Sequence, residues 1–170
     1  MNTLFAYLFL MNPFLGAVSE LTINLEGVKI GFYVNKTHSG TMSGFKATII
    51  FDANDLANSS ISGTVDAKTI NTDNPKRDGH LQSPEYLDVA KYPTMAFKSN
   101  SVAVDGEGYV MKGLMTIKDV EREESISFSY ADKLFKGTST ISMSYYNIGD
   151  YAKKSPEETE VKISFAVPVM

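Results

Sequence analysis

The two histidines of this chain, His38 and His80, are its first candidates for acid–base or metal chemistry. His80 has a carboxylate two residues away in Arg77-Asp78-Gly79-His80, and a histidine beside a carboxylate is the minimal general-base pair. Catalysis needs more than that. A base alone lacks a nucleophile and oxyanion donors, so cap hydrogen bonds are the plainer role for Asp78 and His80. Neither histidine belongs to an H-x-H or HExxH spacing, and with no cysteine there is no thiolate, disulfide or Cys-ligated zinc. No catalytic residue, metal or cofactor is assigned. Arg77 admits two roles: a salt bridge or cap hydrogen bond, or a cation beside the polar end of a bound molecule. The acidic runs Glu121-Arg122-Glu123-Glu124 and Glu157-Glu158 read as solvated turns. Gly106 and Gly108 suit a hairpin rather than a phosphate loop.

These residues need a frame to position them. Asp78 and His80 lie in Asn71 to Pro93, NTDNPKRDGHLQSPEYLDVAKYP, a polar segment that interrupts a run of alternating stretches. Asn71 to Pro75 carries the turn chemistry that stops a strand. Ser83-Pro84 reads as a helix start, with Ser83 as N-cap, Pro84 in the first helical position and Glu85 in the first turn; Tyr92-Pro93 ends it. The segment is expected to be a short, partly helical cap.

Around it the dominant period is two, the signature of strands. Leu21, Ile23 and Leu25 alternate with polar residues, and after Gly27 the phase passes to Val28, Ile30, Phe32 and Val34, as at a bulge or bend. His38-Ser39-Gly40 reads as a loop. Phe45, Ala47, Ile49 and Phe51 then alternate, with Ile50 an exception, and Ile61, Gly63, Val65 and Ala67 give the cleanest alternation. Beyond the cap come Met95, Phe97 and Ser99, a hairpin through Asp105-Gly106-Glu107-Gly108, then Met111, Gly113, Met115 and Ile117. Asp119 to Glu124 is expected as a charged turn and Ile126, Phe128 and Tyr130 as a strand. Lys133 to Gly137 is expected to turn, and Ile141, Met143 and Tyr145 to form the penultimate strand. A polar loop from Gly149 to Thr159 leads to Val161 through Val169.

About eight strands with hairpin-spaced turns predict an all-β sandwich or barrel. The chain of 170 residues, 43% hydrophobic and 21% charged, suits one globular domain with a sizeable core. A net charge of −4 without a Lys/Arg cluster argues against a nucleic-acid partner. Leu4 to Leu15 is too short to span a membrane as a helix. Followed by Gly16-Ala17-Val18-Ser19, it resembles the apolar region of a secretory signal peptide with small residues for processing after Ala17 or after Ser19, although no Lys or Arg lies near Met1. Residues 1–19 are thus expected to be a signal peptide, or else an apolar N-terminal arm, and residues 20–170 the folded domain.

Several stretches then carry a family resemblance: Ile49-Ile50-Phe51-Asp52; Val65-Asp66-Ala67 with Ile70-Asn71-Thr72; Asn74 through Arg77-Asp78 to His80-Leu81; and Tyr86-Leu87-Asp88-Val89-Ala90-Lys91-Tyr92-Pro93 with Phe97-Lys98-Ser99. Together they resemble the YceI-like family, also called polyisoprenoid-binding lipocalin-like proteins, over about residues 21 to 169. The resemblance implies a lipocalin-like, eight-stranded antiparallel barrel, usually periplasmic, that holds a polyisoprenoid, an isoprenoid quinone or a fatty-acid amide. One departure stands out. Where relatives commonly have Asn-Arg-x-Asp-Phe-Gly, this chain has Ser142-Met143-Ser144-Tyr145-Tyr146-Asn147. If that Arg and Asp hold a head group in relatives, a less polar ligand is expected here.

An eight-stranded barrel either fills its interior with side chains or holds one small ligand. Small residues and Met alternating with Phe favour room inside, while a packed dry core fits the same pattern. The expected lining is Phe32, Phe45, Ile49, Val65, Phe97, Met115, Ile117, Phe128, Met143 and Phe165, with Arg77 at a polar end. Ten buried methylenes contribute roughly 8 kcal/mol gross, of the order of micromolar binding before ordering costs. The sequence therefore supports a non-enzymatic lipid carrier, store or shield, periplasmic or secreted. Transient membrane contact and a homodimer are both compatible with it. Two alternatives stay open: an enzyme acting on a lipid or quinone head group through Asp78 and His80, and a filled barrel with a structural or stress-response role.

Overall fold

The computed structural model describes residues 19–34 and 38–170. The apolar run of Leu4 to Leu15 and Gly16-Ala17-Val18 after it lie outside them, so only Ser19 of the expected leader is described. Eight strands close into one antiparallel barrel in the order β1-β2-β3-β4-β5-β6-β7-β8. Their ranges are β1 Lys29–Val34, β2 His38–Ile50, β3 Ser60–Asn71, β4 Thr94–Asp105, β5 Gly108–Ile117, β6 Val120–Ala131, β7 Leu134–Ser142 and β8 Glu160–Pro168. Every strand pairs with its sequence neighbour, and β1 meets β8 from Lys29↔Ala166 to Val34↔Val161. The expected all-β, eight-stranded barrel with a short helical cap is the architecture found.

The alternation read from sequence falls on the barrel interior as the pleat requires. Ile49, Phe51 and Ala67 are buried, as are Met111, Met115 and Ile117 on β5 and Val161 and Val167 on β8. Each fully buried Phe, Val or Ile side chain contributes about 1.5–3 kcal/mol. Tight turns link the strands. Asp105 pairs with Gly108 around Gly106, whose φ of 58° costs a glycine little. Asp132 and Lys133 both take left-handed φ, 51° and 59°, the signature of a two-residue hairpin turn that matches strand twist.

Several local expectations are corrected. The helix, α1, spans Pro75–Gln82, not the residues after Ser83. Asn74 caps it by accepting the Arg77 N–H at 3.1 Å and Pro75 takes the first turn, so the cap-plus-proline signal acted one segment earlier. Ser83 instead sits at the helix C-cap. His38-Ser39-Gly40 belongs to β2, registered opposite Val34, Tyr33 and Phe32. The turn before β6 is only Lys118 and Asp119; Glu121 to Glu124 are strand residues. β7 likewise begins at Leu134, and Lys136 and Gly137 pair with β6 and β8. Strand β7 ends at Ser142, where Met143–Tyr146 turns into a short 3-10 helix that buries Tyr146 and leaves Tyr145 exposed. Leu21 to Leu25 is not a strand. It touches the barrel through the single bridges Glu20↔Ile50 and Ile23↔Val169 and then forms a 3-10 turn at Leu25–Gly27. The outward Ile50 is half-buried and takes part in the first of these bridges.

Antiparallel order fixes which features share an end. Helix α1, between β3 and β4, and the 3-10 turns between β7 and β8 sit at one end, called here the cap end. The N-terminal segment, the β4–β5 turn and the C-terminus sit at the other.

Candidate ligand-binding cavity

The barrel encloses a cavity of about 270 Å³. That is far larger than the water-sized voids of close-packed interiors, so the filled-core alternative does not describe this barrel. Apolar cavities stay dry even at about 150 Å³. All eleven residues named from sequence line it: Phe32, Phe45, Ile49, Val65, Arg77, Phe97, Met115, Ile117, Phe128, Met143 and Phe165. Sequence reasoning missed Leu81, Leu87, Ile148 and Tyr151, which line it from the cap segments. Their signal was present as isolated apolar residues in polar stretches.

The wall is uneven in character. Met42, Met95, Met111, Met115 and Met143 all line it, giving it flexible, unbranched side chains. At the end away from α1 the wall becomes aromatic. Phe51 makes edge contacts with Tyr109, Phe128, Tyr130 and Phe135 at centroid distances of 5.1, 5.7, 5.2 and 5.3 Å. Tyr109 stacks on Phe128 and Tyr130 on Phe135, and Leu21 and Ile23 pack against the core near the same end.

Among the described lining residues Arg77 alone carries a charge. Its Nε donates to Thr72 Oγ1 at 2.8 Å and one Nη2 hydrogen to the Thr72 carbonyl at 2.7 Å. Asp78 accepts from the Thr72 backbone N–H at 2.9 Å and from its hydroxyl, which holds Thr72 in place. No carboxylate among the described residues pairs with Arg77, whose Nη1 keeps its donors unspent. Of its two sequence alternatives Arg77 shows the local one, hydrogen bonds at the start of α1, and it also lines the cavity.

Asp78 and His80 are not brought together. Asp78 is committed to Thr72, whereas exposed His80 packs its ring edge-on to Tyr86 at 4.3 Å, and neither lines the cavity. Nor is His80 gathered with His38 into a metal cluster: the described residues contain no group of three or more His, Asp or Glu placed to hold an ion.

Two segments close the cap end. The first, α1 with the turn to Pro93, is held to β3 by Gln82 Nε2 donating to the Lys68 carbonyl and Ala67 N–H to that of Pro93. The second, from Met143 to Thr159, is anchored by a hydroxyl cluster: Ser142 Oγ lies 2.6 Å from Thr159 Oγ1 and 2.8 Å from Ser144 Oγ. The departing stretch Ser142 to Asn147 therefore helps tie down the cap through the Ser142 and Ser144 hydroxyls. Its Met143 alone reaches the cavity. The two segments meet where the Gly149 N–H donates to the Glu85 carbonyl at 3.0 Å, with Tyr86 against Gly149. Burial first, and then the charges of Asp150, Tyr151 and Glu85, raises the pKa of the Tyr86 phenol.

A closed antiparallel barrel around an apolar cavity, with one cation among the described lining residues, defines a lipocalin-like cavity barrel. Within that class the chain belongs to the YceI-like domain family, matched over residues 21–169. It is 34% identical over 83 residues to Protein YceI of Escherichia coli O17:K52:H18, a match covering 49% of this chain and 44% of that relative. The match spans less than half of the relative's own length. The crystal structure of BcnA from Burkholderia cenocepacia superposes with a TM-score of 0.78 at 22% identity, over 85% of this chain and 98% of that one. A polyisoprenoid binding domain from Saccharophagus degradans, implicated in plant cell wall breakdown, superposes with a TM-score of 0.61 at 12% identity, over 87% and 96%.

Proposed function

We propose that the protein binds one long-chain apolar lipid inside the barrel, its tail toward the aromatic end and its polar end at Arg77, and carries, stores or shields it. The observation that carries this is the apolar cavity of about 270 Å³ whose lining, among the described residues, holds a single charged group. Burial of a tail there is driven by removal of apolar surface from water, and Arg77 supplies orientation. The family and the polyisoprenoid binding domain among the structural neighbours support a ligand of the polyisoprenoid, isoprenoid quinone or fatty-acid amide kind. With neutral residues from Ser142 to Asn147, Arg77 is left as the head-group contact, which favours a weakly polar or singly charged head. Loading then requires transient contact with a membrane. The site of action is periplasmic or extracellular, reached by cleavage of the N-terminal apolar run, and a mature N-terminus near Val18 or Glu20 in cells tests that step.

Purification without detergent, extraction into organic solvent and mass spectrometry test the function. A lipid recovered in near-stoichiometric amount is expected. An empty protein that also takes up no lipid when offered vesicles overturns the proposal.

A further inference from the structure

We infer that the aromatic cluster at the closed end is a length gauge: the site selects lipid tails by length and is indifferent to their branching. This rests on the proposed lipid binding. The argument is a contrast in stiffness between floor and wall.

Phe128 and Phe135 line the cavity, and Phe51 fills the space behind them in contact with both. Phe51, Phe128 and Phe135 are buried, and stacked Tyr109 and Tyr130 back the layer. A ring wedged between other rings cannot fold aside as a methionine does, because it moves only as a rigid plate. The floor therefore does not retreat before a longer tail. Along the wall, by contrast, methionines from several strands can change rotamer to admit a methyl branch or a double bond. With the polar end fixed at Arg77 and the floor fixed at Phe128 and Phe135, the distance between them sets the tail that fits. The topology places these two features at opposite ends.

The experiment uses two ladders of primary alcohols, one straight-chain and one isoprenoid, bound to delipidated full-length protein in competition with a fluorescent fatty probe. For wild type, affinity is expected to rise about fourfold per added methylene and then stop rising at one break length shared by both ladders. Phe128→Ala should move the break by roughly two to four carbons to longer tails, and Phe128→Leu by less in the same direction. Ile126→Phe adds bulk just inside the floor, on the same face of β6, and should move the break to shorter tails. Circular dichroism identifies the variants that keep the fold. Breaks that stay put in folded variants, or different break lengths for the two ladders, overturn the gauge and leave lipid binding intact. Failure of wild type to bind either ladder overturns both.

Discussion

The buried hydroxyl of Tyr146 donates to Glu124 Oε1 at 2.8 Å, joining the second cap segment to the inner face of β6. Burial first, then the hydrogen bond and charge of Glu124, raises the pKa of this phenol above its ordinary value. Below pH 10 both folded and unfolded chains keep the proton. Above it the unfolded phenol ionises while the folded one does not, so folding loses about 1.4 kcal/mol per pH unit from this group. Denaturant titrations between pH 10 and 11.5 should show that extra slope in wild type and not in Tyr146→Phe. At pH 7 the same variant should be about 1–2 kcal/mol less stable, because Glu124 loses its donor.

Replacing Arg77 with Gln should separate head from tail. Affinity for a fatty amide or other polar-headed lipid should fall roughly tenfold or more, the scale of a hydrogen bond to a charged group. Affinity for a headless hydrocarbon of equal length should hardly change. Isothermal titration with the two ligands makes the comparison, and equal losses for both would contradict a head-group role.

Ligand removal should be visible in thermal stability. A lipid present at a hundred times its dissociation constant stabilises the folded state by about 2.7 kcal/mol. For a chain of this size that raises Tm by roughly 5–10 °C. Differential scanning calorimetry before and after organic extraction and reloading measures it.

Gly149 marks the seam between the two cap segments. A Cβ there would fall 2.6 Å from the Tyr86 ring, at a backbone φ of 49° that side chains other than Gly rarely adopt. Gly149→Ala should therefore loosen the Glu85–Gly149 contact, at a cost of about 1–2 kcal/mol. If the seam gates the cavity, exchange of a bound fluorescent lipid in stopped flow should speed up several-fold while the barrel stays folded.

Much of this arrangement was legible in residue order because a half-buried strand writes its faces in alternation. Val65, Met115 and Phe128 each announced an inward side chain, and each lines the cavity. Signals failed where satisfaction comes from across the chain. Arg122 and Glu124 looked like a solvated turn, yet they occupy inward-parity positions of β6 at its cap end. There the Tyr145 ring covers Arg122, with its guanidinium 4.1 Å from the centroid, and the Tyr146 hydroxyl meets Glu124. The helix was misplaced for a different reason. Asn74-Pro75 and Ser83-Pro84 carry the same start signal, and only the Asn74 side chain has an N–H to accept within the following turn.

Pairing of β1 with β8 leaves neither strand edge open. It also means that the cylinder cannot shut until Glu160–Pro168 has been synthesised and has travelled back to Lys29–Val34, nearly the whole length of the domain. Such distant pairing is slow to form. A newborn copy therefore keeps two unpaired strand edges until synthesis is almost finished, and the hollow exists only once β8 has docked on β1.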